Sequence, residues 1–273
     1  MDKTTSMRPC KAKLLSGLLL VTAGCSTSTD DGPDCRYNED WANGRCSANL
    51  SPTAQPAGIW NGTGSDGRDV LLLVSAGGTF HYVDAAGNQG SGFFPAETRI
   101  VSGFELVSPL GRSFTDGTTL ANCSFTGSLV ERDTIDLRQE CTTGTGLRFS
   151  DTLVFEFSSL YDRGSSLAAI SGNYQVSSGS VLTVAADGAV FMQDAVSGCV
   201  TTGRVGLMVA SSNLYRLTLQ HDSCTGPEAI LNGWSFDGFA LLDNAGTPEE
   251  LVFAVIGYVA DTPVPLFEQA ERL

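Results

Sequence analysis

Between Cys123 and Cys141 the chain alternates apolar and polar residues on either side of Arg132. Few folds accept that pattern. With Arg132 at a turn centre, Leu129 faces Ile135, Gly127 faces Leu137, Phe125 faces Gln139, and Cys123 lands opposite Cys141. The inward set Cys123, Phe125, Leu129, Ile135, Leu137 and Cys141 alternates with Ser124, Thr126, Ser128, Asp136 and Arg138. A period of two is the mark of a half-buried hairpin. Directly opposed residues lie ~4.5–5.5 Å apart at Cα, within reach of a disulfide.

The rest of the chain follows the same plan. Further strands are predicted over 70–75, 79–83, 98–107 and 147–157, and later over 229–236, 239–242 and 251–259. Asp237-Gly238 and residues 243–246 read as turns between the last three. A second half repeats the first. Gly58-x-Trp60 matches Gly172-x-Tyr174, the run 72–78 ending in Gly78 matches 182–188 ending in Gly188, and the Cys123–Gly127 run matches Cys199–Gly203. A period of about 110 residues means a duplicated domain, since solenoid repeats run roughly 20–50 residues. In the second cysteine hairpin, a centre at Ser212 pairs Val209 with Tyr215, Leu207 with Leu217 and Val205 with Leu219. Cys199 then faces Thr225, and a β-bulge near His221–Ser223 is expected to bring Cys224 into reach. Residues 158–170 connect the halves, with Ser165-Ser166 set to cap one helical turn over 167–170. The end, from Asp261-Thr-Pro-Val-Pro265 onward, is expected to leave the sheet, with residues 267–273 a short helix or fraying. Many short strands at regular spacing imply antiparallel barrels or sandwiches.

The N-terminus says where such a chain goes. A basic head with Arg8, Lys11 and Lys13 precedes an apolar run over 14–23 that is too short for a bilayer span of roughly 20 residues. Starting at Met1 or at Met7, this reads as a secretory signal. Its exit, Thr22-Ala23-Gly24-Cys25, resembles the lipobox of bacterial lipoproteins. The resemblance implies cleavage before Cys25, acylation of its thiol and new amino group, and, with Ser26 following, sorting to the outer membrane. Several acyl chains at ~0.8 kcal/mol per buried methylene make a durable anchor. Residues 1–24 are then signal and 25–57 a tether rich in Ser, Thr, Asp and Pro. Acidic residues there (Asp30, Asp31, Asp34, Glu39, Asp40) lack the spacing of a calcium loop.

Removing the signal moves the net charge from −14 to −17 and leaves twelve arginines and no lysine. That excludes a Walker lysine, a Schiff-base lysine and a Ser–Lys dyad, and argues against nucleic acid and anionic lipid faces as partners. Six cysteines remain for an oxidising compartment, and their spacing favours the bridges Cys35–Cys46, Cys123–Cys141 and Cys199–Cys224. No C-x-x-C occurs, His81 and His221 lie far apart, and no G-x-S-x-G elbow is present. No metal or cofactor is expected, and His81 reads as a surface or satisfied strand histidine rather than a base. His221 shares parity with Tyr215, Leu217 and Leu219, which would let it line a cavity, but the bulge expected at 221–223 leaves its face open.

Gly58-Ile-Trp60 resembles the G-x-W motif that opens the lipocalin fold. That family's fold is an eight-stranded barrel whose Trp closes one end around a small apolar ligand. The expected architecture is all-β: two tandem lipocalin-like antiparallel barrels over 58–163 and 164–261, with a tail at 262–273, as in duplicated-barrel outer-membrane lipoproteins. Three roles follow. A non-enzymatic, lipid-anchored envelope protein acting through its surface on an envelope partner predicts barrels filled by side chains. A carrier or sensor of a small apolar ligand predicts a cavity lined by Trp60, Phe80, Phe125, Tyr215 and Leu217. An inhibitor of a secreted hydrolase predicts a rigid presented loop and no cavity.

Overall fold

The computed structural model describes residues 39–42, 45–48, 54–95, 99–109, 113–259 and 262–273, with only the backbone of the first two stretches. Cys25, Cys35, the signal and most of the tether lie outside them, as does the side chain of Cys46. Before the barrels, β1 (Glu39–Ala42) and β2 (Arg45–Ala48) form an antiparallel hairpin that belongs to a separate unit.

The first barrel is built from β3 (Gly58–Thr63), β4 (Asp69–Val74), β5 (Thr79–Asp84), β6 (Asn88–Phe93), β7 (Ile100–Pro109), β8 (Ala121–Val130), β9 (Thr134–Thr143) and β10 (Arg148–Phe157). They pair in chain order and β10 returns to β3. The helical turn α1 (Leu167–Ile170) leads into the second, with Ser166 Oγ accepting from Ala169 N at 3.0 Å as its cap. There β11 (Gly172–Gln175), β12 (Val181–Val184), β13 (Ala189–Gln193), β14 (Val200–Leu207), β15 (Tyr215–Asp222), β16 (Trp234–Asp243), β17 (Glu250–Val259) and β18 (Thr262–Arg272) close the same way. The chain is thus two closed eight-stranded antiparallel barrels.

The duplication is visible in detail. Gly78 and Gly188 both turn at φ +86°, and each carbonyl accepts a 2.8 Å bond, from Phe94 N and from Val205 N. A Cβ at either would sit 2.3–2.4 Å from the carbonyl oxygen of that same donor residue. Trp60 Nε1 donates to Pro56 O at 3.0 Å, and Tyr174 OH to Ile170 O at 2.7 Å, each reaching four residues back. The turn serine Ser65 binds Asp151 of β10, and Ser177 binds Glu268 of β18.

The β8–β9 register is the expected one, with Cys123 opposite Cys141 and bonded to it. Other expectations are corrected. The second cysteine hairpin pairs Val205 with Leu217 and Leu207 with Tyr215, two residues from the expected register. Its connection is drawn out because Asn213 is tied to Tyr161 O and Leu242 O, and Leu214 is buried against the other barrel. Faces are preserved, and Ser223 in a left-handed conformation (φ +59°) swings Cys224 onto Cys199. The two disulfide hairpins are also not equivalent. They are the sixth and seventh strands of the first barrel but the fourth and fifth of the second. Matching them by cysteine spacing skipped two strands.

Asp237-Gly238 is no turn but the middle of β16. Gly238 is needed there because a Cβ would sit 2.2 Å from Ala254 O. Residues 226–231 form a 3-10 turn ahead of that strand. The expected C-terminal tail is β18. Its prolines, Pro263 and Pro265, lie where β18 pairs with β17 alone, and only Glu271 and Arg272 meet β11. A strand with one free side tolerates missing N–H donors.

Inward residues pack each lumen. Trp60, Leu72, Phe80, Phe125, Leu129 and Phe155 fill the first, and Tyr174, Leu182, Tyr215, Leu217, Leu219 and Phe253 the second. Between the barrels, Ile59 and Leu73 meet Leu214, Phe239, Leu241, Val252 and Ala254 in a third apolar cluster.

Candidate functional site

Beside the inter-barrel cluster the two outer walls diverge and leave a groove of ≈ 690 Å³ between β5–β7 and β14–β17. Alternation on β5 sends Phe80 and Tyr82 into the lumen and His81 the other way, toward the second barrel. There the imidazole stands edge-to-face on Phe239 with ring centroids 5.1 Å apart, and its Nδ1 lies 2.7 Å from Ser91 Oγ. Burial pushes its pKa down to about 4, with Asp237 pulling the other way, so the ring is neutral at physiological pH. Its Nε2 has no hydrogen-bond partner among the described residues. Asp237, on the opposite wall, is held by Arg216 at 2.8 Å.

A second hollow of ≈ 430 Å³ opens at one end of the first barrel. Arg68 crosses it, binding Asp66, Asp84 (2.6 Å) and Asp151. The same end of the second barrel has Ser180 in place of Arg68, bonded to Asp194 at 3.1 Å. Beneath Arg68 lies a polar floor. Gln139 Nε2 donates to Tyr82 OH at 2.9 Å and to Glu105 Oε1 at 2.6 Å. Burial raises the Glu105 pKa to about 7, the Gln139 bond working against it. In the second lumen His221 Nδ1 lies 2.8 Å from Thr201 Oγ1 and its ring stands on Phe236, while its buried Nε2 has no partner. Burial lowers its pKa.

No family model and no curated protein matches the chain. A solved structure of the Aeromonas veronii immune modulator A aligns with 82% of this chain and 96% of its own, at 12% identity and a TM-score of 0.35. At that level of likeness no residue's role transfers.

The residues expected to line an apolar cavity lie packed inside the barrels. Trp60, Phe80, Phe125, Tyr215 and Leu217 are all 2% exposed or less, and none borders either hollow above or a third of ≈ 410 Å³ beside β18. The reason is on the neighbouring strands. Phe80 lies opposite Gly92, Phe125 opposite Gly103, Phe155 opposite Gly62 and Phe236 opposite Gly257. Each ring covers its facing glycine, where a Cβ would meet it at 2.4–2.8 Å. Large-over-small packing of this kind fills a small barrel. Trp60 and Tyr215 close ends instead. Trp60 packs edge-to-face on Phe157, and Tyr215 OH bonds Ser166. Sequence reasoning missed Glu105, Gln139 and Arg68 as a group. One signal was there: Glu105 shares inward parity with Val101, Gly103 and Val107. Among the described residues no cluster of His, Cys, Asp and Glu is placed to hold a metal ion, and no helix is long and apolar enough to cross a membrane.

Proposed function

We propose that the chain is a lipid-anchored cell-envelope protein, held at Cys25, that acts by non-covalent contacts on its outer surface and carries out no catalysis. The observation that carries this reading is the packing of both lumens, where Phe80, Phe125, Phe155 and Phe236 cover glycines on the next strand and Trp60 and Tyr215 are buried at barrel ends. The groove between the barrels is the largest of the hollows above and lies outside both lumens, which favours a surface role. Secretion as a lipoprotein accords with the lipobox-like Cys25 and with two disulfides in a chain of this kind.

One purification tests it. The full chain is expressed in a Gram-negative host, extracted gently from the envelope and weighed by native and denaturing mass spectrometry. The expected product begins at Cys25, carries covalent acyl mass and holds no apolar small molecule. A Cys25→Ala variant is expected to lose the acyl mass and leave the membrane fraction. A stoichiometric apolar adduct released by solvent would replace this reading with the carrier; acyl mass persisting in Cys25→Ala would overturn the anchor.

A further inference from the structure

The groove between the barrels has a chemistry of its own. Of its lining side chains only Asp237 carries a charge at neutral pH, and Arg216 already pairs with it. Among the described residues no free cation lines it to receive a phosphate, sulfate or carboxylate, and the chain as a whole carries a net charge of −14. The walls are instead dense in neutral hydrogen-bonding groups. Thr79, Thr202, Gln220, Ser235 and Tyr258 all reach the groove, and none of them makes a side-chain hydrogen bond to another described residue. His81 adds a neutral imidazole, itself 6% exposed, whose Nδ1 is fixed by Ser91 while Nε2 is left without a partner. Yet most of the groove's exposed lining is apolar. Leu106 and Ile256 line it, and the Tyr258 ring is 59% exposed at its edge. At ≈ 690 Å³ it lies within the ~300–1,000 Å³ span of small-molecule sites.

We infer that this groove binds a neutral oligosaccharide. A sugar is uncharged, offers hydroxyls that both donate and accept, and has an apolar C–H face suited to an aromatic ring. The Tyr258 ring takes that face, and the hydroxyl and amide groups of both walls together with His81 Nε2 take the sugar hydroxyls. The site needs both barrels, since His81 and Ser91 come from one and Gln220, Ser235 and Tyr258 from the other. This inference rests on the surface-acting reading above, because it places the ligand outside the lumens.

The test is a titration of the 15N-labelled full chain with maltotetraose, cellotetraose and chitotetraose, followed by backbone amide shifts. At least one is expected to move amides at Ser91, Gly92, Thr202 and Ser235 saturably. Tyr258→Ala and Gln220→Ala are each expected to weaken that binding about tenfold with an unchanged melting temperature. No saturable shift with any of the three sugars, or undiminished affinity in both variants, overturns the inference. Two controls separate the two levels of failure. A heparin-derived tetrasaccharide moving the groove amides while the neutral sugars do not overturns the ligand class and leaves the surface reading standing. Laurate moving amides at Phe80, Phe125 or Tyr215 overturns the surface reading itself.

Discussion

At the level of single residues, the first barrel keeps an acid in its interior that no cation among the described residues pairs with. Glu105 has one partner, Gln139, and holds its proton to about 7 against an ordinary 4.5. In the unfolded chain the same carboxyl ionises near its ordinary value. Between those two pH values the folded state therefore binds more protons than the unfolded one, and stability falls as pH rises. Above about 7 the loss is complete, at roughly 3 kcal/mol. His81 acts in the opposite direction. Its folded pKa lies near 4, so it removes stability as pH falls from about 6.5, which blunts the profile of the unaltered protein. A difference measurement isolates the acid. Glu105→Gln, compared with the parent by urea unfolding, is expected to gain about 2.5 kcal/mol relative to it between pH 5 and pH 8; the same difference at both pH values would show that Glu105 does not titrate in the lumen. Sequence alternation was enough to turn Phe125 inward. It was not enough to tell packing from cavity, because that depends on which residue stands opposite, and Gly103 faces Phe125 only once the β7–β8 register is known.

At the level of elements, strands were legible where side chains alternate and obscure where glycine or proline replaces them. The strand β6, Asn88–Phe93, went unseen because its inward positions include Gly90 and Gly92, which carry no side chain of their own and are covered by Tyr82 and Phe80 from β5. The Asp-Gly of β16 resembled a turn for the same reason. The strand β18 hid behind two prolines, yet it supplies the seam of the second barrel. It pairs with β17 along ten residues and reaches β11 through Glu271 and Arg272, whose guanidinium also lies over the Tyr174 ring at 5.2 Å. Deleting residues 262–273 is expected to open the second barrel and leave the first intact. Hydrogen exchange should then quicken across β11 and β17 while β3 to β10 keep their protection. Unchanged protection at β17 would mean that the other strands hold the barrel without its seam.

At the level of the whole molecule, each barrel has its own core and its own disulfide, closing loops of 18 and 25 residues. Bridges over loops of that size stabilise by about 3 kcal/mol. Replacing Cys123 and Cys141 together by serine is expected to lower the stability of the first barrel by that amount and to leave the second unaffected away from the shared apolar cluster. Barrel-resolved hydrogen exchange in denaturant reads this directly; equal weakening of both would show that they unfold as one unit. The existence of two halves was plain in the sequence from Gly58-x-Trp60 and Gly172-x-Tyr174. Their alignment was not, since the cysteines offered the most conspicuous match and the wrong one. The features that do correspond are the Gly78 and Gly188 turns, the four-residue reach of Trp60 and Tyr174, and the serine-to-acid ties of Ser65 and Ser177. These are the features that the two barrels share position for position. The bridges, on non-equivalent strands, were not inherited as a pair. Each barrel is thus stapled across a pair of strands that its counterpart leaves unlinked.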